Sequence, residues 1–271
     1  MPEGDTLWNI AHRLGPLLQG RTADEVHVHR PRYRPPAPGS LVESVAARGK
    51  HLLITFEGGT VVHTHLQMSG QWHAYRVGER WKDSPGAVRV RIRAGDIEAV
   101  CFRAPTVDVY PAADPRPRPW DRIGPDLCDP EPDLDTVMVN LCALDPDTEV
   151  ADALLDQRVA AGIGNVYKSE TLWACQVDPF LAVGDVDPGV GRDLYRTASR
   201  LLRSNLGRSR RQTFGRGLAV YGRNGRDCPR CHRRLRIARQ GDLARVTYWC
   251  AACQGRGDVA GLSPGPAPGL R

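Results

Sequence analysis

Four cysteines near the C-terminus carry the most specific chemistry in this 271-residue chain. Cys228-x2-Cys231 and Cys250-x2-Cys253 form two CxxC pairs separated by 18 residues. Each pair supplies two thiolates from one tight turn, and two such turns complete a tetrahedral shell. A closed four-thiolate shell is structural rather than catalytic. The alternatives are two disulfides or a redox CxxC. A reducing cytosol argues against the first, and no βαβ pattern supports the second. The spacing therefore predicts one structural Zn2+ on Cys228, Cys231, Cys250 and Cys253. Gln240-Gly241-Asp242 reads as the turn of a β-hairpin between the pairs, with Arg245 on its second strand. So short a hairpin has no core of its own, so the metal is expected to supply much of its folding energy. Cys101, Cys128, Cys142 and Cys175 are scattered and read as small buried hydrophobes.

The second reactive group is at the other end. Pro2 follows the initiator Met, and its small size predicts Met removal. The mature chain would then begin with a secondary amine, with a pKa near the α-amino value of about 7.7–8.0. The positive end of a following helix lowers it further. Such an amine can attack an electrophilic sugar carbon and form an iminium. Glu3 beside it can move protons. Met-Pro-Glu-Gly alone is weak, since many chains begin Met-Pro for no chemical reason.

Three further motifs keep it company. Arg48-Gly49-Lys50-His51-Leu52-Leu53 puts a lysine at the start of an apolar strand. His65-Leu66-Gln67-Met68-Ser69-Gly70 ends a strand in a glycine turn. Gly162-Ile163-Gly164-Asn165-Val166-Tyr167 reads as a glycine-rich turn between two helices, the second starting at about Asn165. That turn exposes backbone N–H groups at a helix N-terminus, a phosphate site. Taken singly, each has a structural reading as well: a surface charge, core packing, a plain helix–helix turn.

The elements that must position these residues follow from periodicity. Leu7, Ile10, Ala11, Leu14, Leu17 and Leu18 recur at helical spacing over residues 5–19, with Asp5 or Thr6 as cap and Gly20 at the end. From 24 to 110, short β-branched or alternating segments (LLITF, VVHTHLQM, VRVRIR, IEAVCF) predict an antiparallel sandwich. Residues 113–133 are rich in proline and acid and read as a linker. Helical patterns follow over 134–144, 149–159, 165–176 and 188–206. The division is thus a sandwich domain over 1–112, a helical domain over 134–226, the cysteine module over 227–254 and a low-complexity, disordered tail over 255–271. The fold class is α+β.

Net charge is +6. From Arg200 to Arg256 the chain is crowded with arginine, and Asp227 and Asp242 are its only acids. That local excess predicts a polyanionic partner, with nucleic acid ahead of a merely solvated basic face. No apolar run is long enough to span a bilayer, and no basic leader precedes an apolar stretch, so a cytoplasmic, nucleoid-associated location and no membrane partner are expected.

Together and in this order, the PEG start, the RGK strand, the HLxMxG turn, the helix–two-turn–helix and the four-cysteine finger resemble the formamidopyrimidine-DNA glycosylase / endonuclease VIII family. The resemblance runs from Pro2 to Cys253. It implies a β-sandwich domain joined to a helical domain carrying the finger, a monomer that binds damaged DNA and flips out the damaged nucleotide. It implies a base-excision enzyme with glycosylase and β,δ-lyase activities. Pro2 would attack C1′, and Glu3 would assist base release and sugar opening. Lys50 would contact phosphate and aid elimination. Met68 with Gln67 would fill the gap left by the flipped base, and Asn165 would bind phosphate. Arg245 would act on the lesion phosphates. A guanidinium does not deprotonate near neutral pH, so Arg245 reads as an electrostatic clamp rather than a proton donor.

Three departures bear on substrate. The family start is commonly PEGPE; here Asp5 and Thr6 follow, and Thr6 replaces the second glutamate. The segment between Phe214 and Cys228 is short, and Arg103-Ala104-Pro105-Thr106 lacks the arginine-and-aromatic wedge of the 8-oxoguanine-type members. Both of these segment differences favour the endonuclease VIII branch and oxidised pyrimidines. The competing readings are a silent DNA-binding module, raised by Thr6, and an RNA- or ribosome-associated zinc protein, raised by arginine density.

Overall fold

The computed structural model describes residues 2–255 and divides the chain into two compact units, with the boundary along the chain between Arg122 and Ile123. The low-complexity tail predicted beyond the finger lies outside the described residues, apart from Gly255.

The first unit opens with α1 (Gly4–Leu18), whose buried face is Leu7, Ile10, Leu14 and Leu18. Its cap is Glu3, not Asp5 or Thr6. The helix starts one residue earlier than the apolar spacing indicates, which places Thr6 at the third helical position. There the Thr6 hydroxyl accepts from the Glu3 N–H at 3.4 Å, the return bond of a capping box. Gly20, at φ 76°, follows the helix end as expected.

Nine strands follow: β1 (Thr22–Ala23), β2 (Glu25–Val28), β3 (Ser40–Arg48), β4 (His51–Phe56), β5 (Thr60–His65), β6 (Gln71–Arg76), β7 (Val88–Ala94), β8 (Ile97–Phe102) and β9 (Thr106–Tyr110). They form a five-stranded sheet, β1-β3-β4-β5-β9, and a four-stranded sheet, β2-β7-β8-β6, with every pairing antiparallel. Alternation decides which side chains enter the core. In β4, Leu52, Ile54 and Phe56 are buried. In β7, Val88, Val90, Ile92 and Ala94 are buried, while Arg89, Arg91 and Arg93 point away. These residues join the α1 leucines in one core cluster, apart from Val88, which packs with Phe102 and Val100 in a smaller one. Residues 111–122, read from sequence as mostly linker, stay with this unit: Trp120 is buried edge-on to Tyr110 and beside His63.

The second unit holds α2 (Leu134–Cys142), α3 (Val150–Ala153), α4 (Asn165–Cys175) and α5 (Pro188–Arg203). α5 has Asp187 as its cap, accepting from Gly189 N at 2.8 Å, and Pro188 in its first turn. The expected helix over 149–159 is a single turn. After Ala153 the chain bends, and the Gln157 amide donates to the carbonyls of Leu155 and Ile163 at 2.8 and 3.1 Å, closing the turn before α4. The finger follows as β10 (Arg236–Gln240), β11 (Arg245–Trp249) and α6 (Ala251–Gln254). None of the eight cysteines is in a disulfide. Cys101 and Cys128 are buried as expected, but Cys142 is exposed on the last turn of α2 and Cys175 is only half-buried. Among the described residues, no helix is long and apolar enough to cross a membrane.

α4 is buried nearly all round, including Asn165, Lys168, Ser169, Glu170 and Thr171. Polar side chains on a helix ordinarily mark its wet face. Here they are inside, and burial is tolerable only when such groups are bonded. Asn165, Lys168 and Ser169 bond the finger, and Glu170 bonds the segment leading to it; the Thr171 hydroxyl has no partner among the described residues.

Candidate active site and metal centre

In the first unit, Pro2 is half-buried and Glu3 is fully buried at the start of α1. The Glu3 carbonyl accepts from Thr6 N at 2.9 Å and Leu7 N at 3.2 Å, so the helix fixes the backbone next to Pro2. Asp5 is also buried and accepts from the Thr6 hydroxyl at 3.2 Å.

Lys50 sits in the two-residue loop joining β3 to β4, between the paired Arg48 and His51. Strand alternation puts His51, His63 and His65 on the face of the five-stranded sheet away from the core. His51 Nδ1 lies 2.8 Å from His63 Nε2. Burial first, then the neighbouring imidazole and Lys50 charges, lowers His51 to about 4. Burial and the other two histidines lower His63 to about 3. The group is therefore neutral at pH 7. The motif reading of the Lys50 and His65 segments did not single it out, although the i, i+2 spacing of His63 and His65 on a strand was a usable signal.

Gln67 and Met68 occupy the turn after β5. Gln67 has φ 46°, and Met68 is 72% exposed, far outside the core role open to it from sequence. The turn is braced: the Ser69 hydroxyl donates to the Arg103 carbonyl at 3.0 Å, and the Gln67 amide reaches Thr106 Oγ1 at 3.4 Å. Gly70 closes it, because a Cβ there would lie 2.8 Å from the Leu66 backbone. Arg103, at φ 53°, is forked onto Asp83.

In the second unit, Cys228, Cys231, Cys250 and Cys253 converge, with their four Sγ atoms within 4.8 Å of one another. Cys231–Cys250 and Cys228–Cys253 sulfur separations are 3.4 and 3.9 Å. A tetrahedral ion with Zn–S bonds of about 2.3 Å needs about 3.8 Å, so the donor set fits zinc. Burial opposes the Cys228 thiolate, but the Trp173 indole N–H and the backbone N–H groups of Arg230 and Cys231 outweigh it and bring the thiol to about 6. Leu235, Ala219, Val220 and Trp173 pack around the cysteines. The finger thus has apolar support, which the hairpin alone lacked.

Arg245 is exposed at the first position of β11, opposite Gln240. Asn165 is buried in the first turn of α4. Its Nδ2 donates to the Val246 carbonyl at 2.6 Å, and its Oδ1 has no partner. Asn165 and Arg245 are therefore brought together through the residue next to Arg245. Glu170, not singled out from sequence, accepts from the backbone N–H groups of Ala219, Val220 and Tyr221 at 2.8–2.9 Å and from the Thr213 hydroxyl. It anchors the short segment before the finger.

A sandwich with this N-terminal helix and a helix–two-turn–helix followed by a four-cysteine finger are the two halves of one known architecture. The formamidopyrimidine-DNA glycosylase N-terminal domain matches residues 1–106, and the formamidopyrimidine-DNA glycosylase H2TH domain matches residues 123–213. The chain belongs to the formamidopyrimidine-DNA glycosylase family. Within it, the chain is 42% identical to a probable endonuclease 8 2 of Streptomyces coelicolor, covering 100% of this chain and 98% of that protein. It is 38% identical to the DNA-(apurinic or apyrimidinic site) lyase Nei2 of Mycolicibacterium smegmatis, over 94% and 99%. The fold matches the MutM (Fpg) protein of Thermus thermophilus with a TM-score of 0.77 at 28% identity, over 95% and 100%. It matches Lactococcus lactis Fpg in complex with abasic-site DNA at a TM-score of 0.79 and 19% identity, over 94% and 100%. The endonuclease 8 relatives agree with the branch inferred from the short segment after Phe214.

Proposed function

We propose that this chain excises oxidised bases, pyrimidines by preference, from DNA and cuts the strand at the resulting site by β,δ-elimination. The observation that carries the reading is the Pro2-Glu3 pair at the head of α1 in a member of this family. The Pro2 amine adds to C1′ of the damaged nucleotide, the base leaves with a proton, and the opened sugar is held as an iminium. Glu3, buried beside it, handles the protons of base release and ring opening. Lys50 engages phosphate and assists elimination. Met68, with Gln67, fills the space of the flipped base.

Asn165 acts at the helix N-terminus, where the backbone and dipole favour phosphate; its amide is committed to Val246. Arg245 stabilises charge on the leaving phosphate. The four cysteines would hold one Zn2+, whose part is to keep the finger folded. Pyrimidine preference is supported by the short segment between Phe214 and Cys228. We place the enzyme on chromosomal DNA in the cytoplasm, working as a monomer.

Borohydride trapping on abasic duplex DNA tests the mechanism. Wild-type protein is expected to give a covalent adduct, and an N-terminal Gly-Ser extension that blocks the amine is expected to abolish it. Trapping that survives the extension overturns Pro2 as nucleophile. DNA binding with neither trapping nor strand cleavage identifies a silent binding module instead.

A further inference from the structure

β11 pairs with β10 along one edge, which leaves its other edge in need of partners. Side chains of α4 supply them. The Val246 carbonyl accepts from Asn165 Nδ2 at 2.6 Å and from Lys168 Nζ at 3.2 Å. Thr247 Oγ1 accepts from Lys168 Nζ at 2.8 Å. The Tyr248 N–H donates to Ser169 Oγ at 3.4 Å. Asn165 and Lys168, three apart on one helix face, thus converge on the residues that follow Arg245.

The hairpin is held at its turn as well. Gly241, at φ 64°, lies so close to Asp152 that a Cβ would meet its carboxylate at 2.5 Å. The Gln240 amide donates to Glu149 Oε2 at 2.7 Å and to the Pro179 carbonyl at 3.1 Å. Lys168 is fully buried and is the cation that opposes the burial-driven rise of Asp152. An ammonium in such a place is a costly way to gain stability, because an apolar side chain of similar length would pack as well. What the ammonium adds is direction: it fixes the register of β11 against α4.

We propose that Lys168 is a positioning residue that locks the Arg245-bearing strand to the helix start at Asn165, so that the two groups meet the DNA backbone as one rigid clamp. The inference rests on the proposed assignment of Arg245 to the lesion phosphates. Fully buried, the Lys168 side chain is assigned no contact with DNA. It sets where the guanidinium stands.

A double-mutant cycle on the full-length, zinc-loaded chain tests this. Affinity is read by anisotropy on a duplex carrying a tetrahydrofuran abasic analogue. Lys168→Met is expected to weaken binding about tenfold, and Thr247→Val, which removes an acceptor of the ammonium while keeping its shape, to weaken it in the same direction. Both variants should keep one zinc per chain. In an Arg245→Ala background, either change should add less than about twofold, because the group it positions is gone. Undiminished effects in that background overturn the inference while leaving Arg245 in its role. Wild-type affinity in both single variants overturns it too. Wild-type affinity of Arg245→Ala alone removes the assignment of Arg245, and this inference with it. Should Lys168→Met fail to fold or to retain zinc, Thr247→Val decides.

Discussion

Thr6 stands at the third position of α1, where a hydroxyl rather than a carboxylate closes the bond to the Glu3 amide. The family glutamate that it replaces would sit at the position where a capping box usually carries Glu or Gln. Threonine therefore keeps the helix start and drops an acid. Thr6→Ala should cost about 0.5–1 kcal/mol, and Thr6→Glu should keep the bond and leave stability within a few tenths, as measured by urea unfolding. Gly70→Ala should cost about 1–3 kcal/mol in thermal unfolding, because the new methyl meets the Leu66 backbone. At this scale the sequence was most informative where spacing alone defines a donor set, as with the four thiols, which converge in the fold. The commitment of the Asn165 amide was not legible, since its acceptor, Val246, is 81 residues away along the chain.

Among the elements, the outer face of β4 and β5 has a pH signature. His51 and His63 are held well below the ordinary imidazole value, first by burial. The unfolded chain binds those protons near pH 6.5, and the folded chain resists them. Their contribution is therefore complete above about pH 6.5 and is lost as pH falls through about 4 for His51 and about 3 for His63. Melting temperatures followed from pH 7 to 4 should drop, and a His51→Gln, His63→Gln double variant should flatten the dependence. The strands of both sheets were legible because alternation is local: in β7, VRVRIR states which side is wet. α4 was legible as a helix but not as a buried one. Lys168 and Glu170 look like surface charges until β11 and the 213–221 segment are folded against them. The helix expected over 149–159 shrank to α3 for a related reason, since Gln157 bonds carbonyls on both sides of the turn and a helix would take those acceptors away.

At the scale of the molecule, the net charge of +6 and the arginine-rich second unit make binding a matter of displaced counterions. If about four phosphates are neutralised, affinity should fall about a hundredfold between 50 and 200 mM salt. Arg245→Ala should lower the salt slope by about one phosphate, as read from binding isotherms across that range. A zinc chelator, or Cys250→Ser, should abolish DNA binding and release the metal together, since Arg245 stands on a hairpin whose strands run between the two cysteine pairs. The centre also brings its own reporter. The Trp173 indole N–H is 3.4 Å from Cys228 Sγ, under the Arg230 guanidinium, and edge-on to Phe214. A sulfur that near an excited indole is an efficient quencher, and a metal-bound thiolate quenches differently from a thiol. The difference in emission between wild type and Trp173→Phe isolates this one fluorophore among the six tryptophans. It gives a label-free optical record of metal arriving at or leaving the finger while the enzyme works.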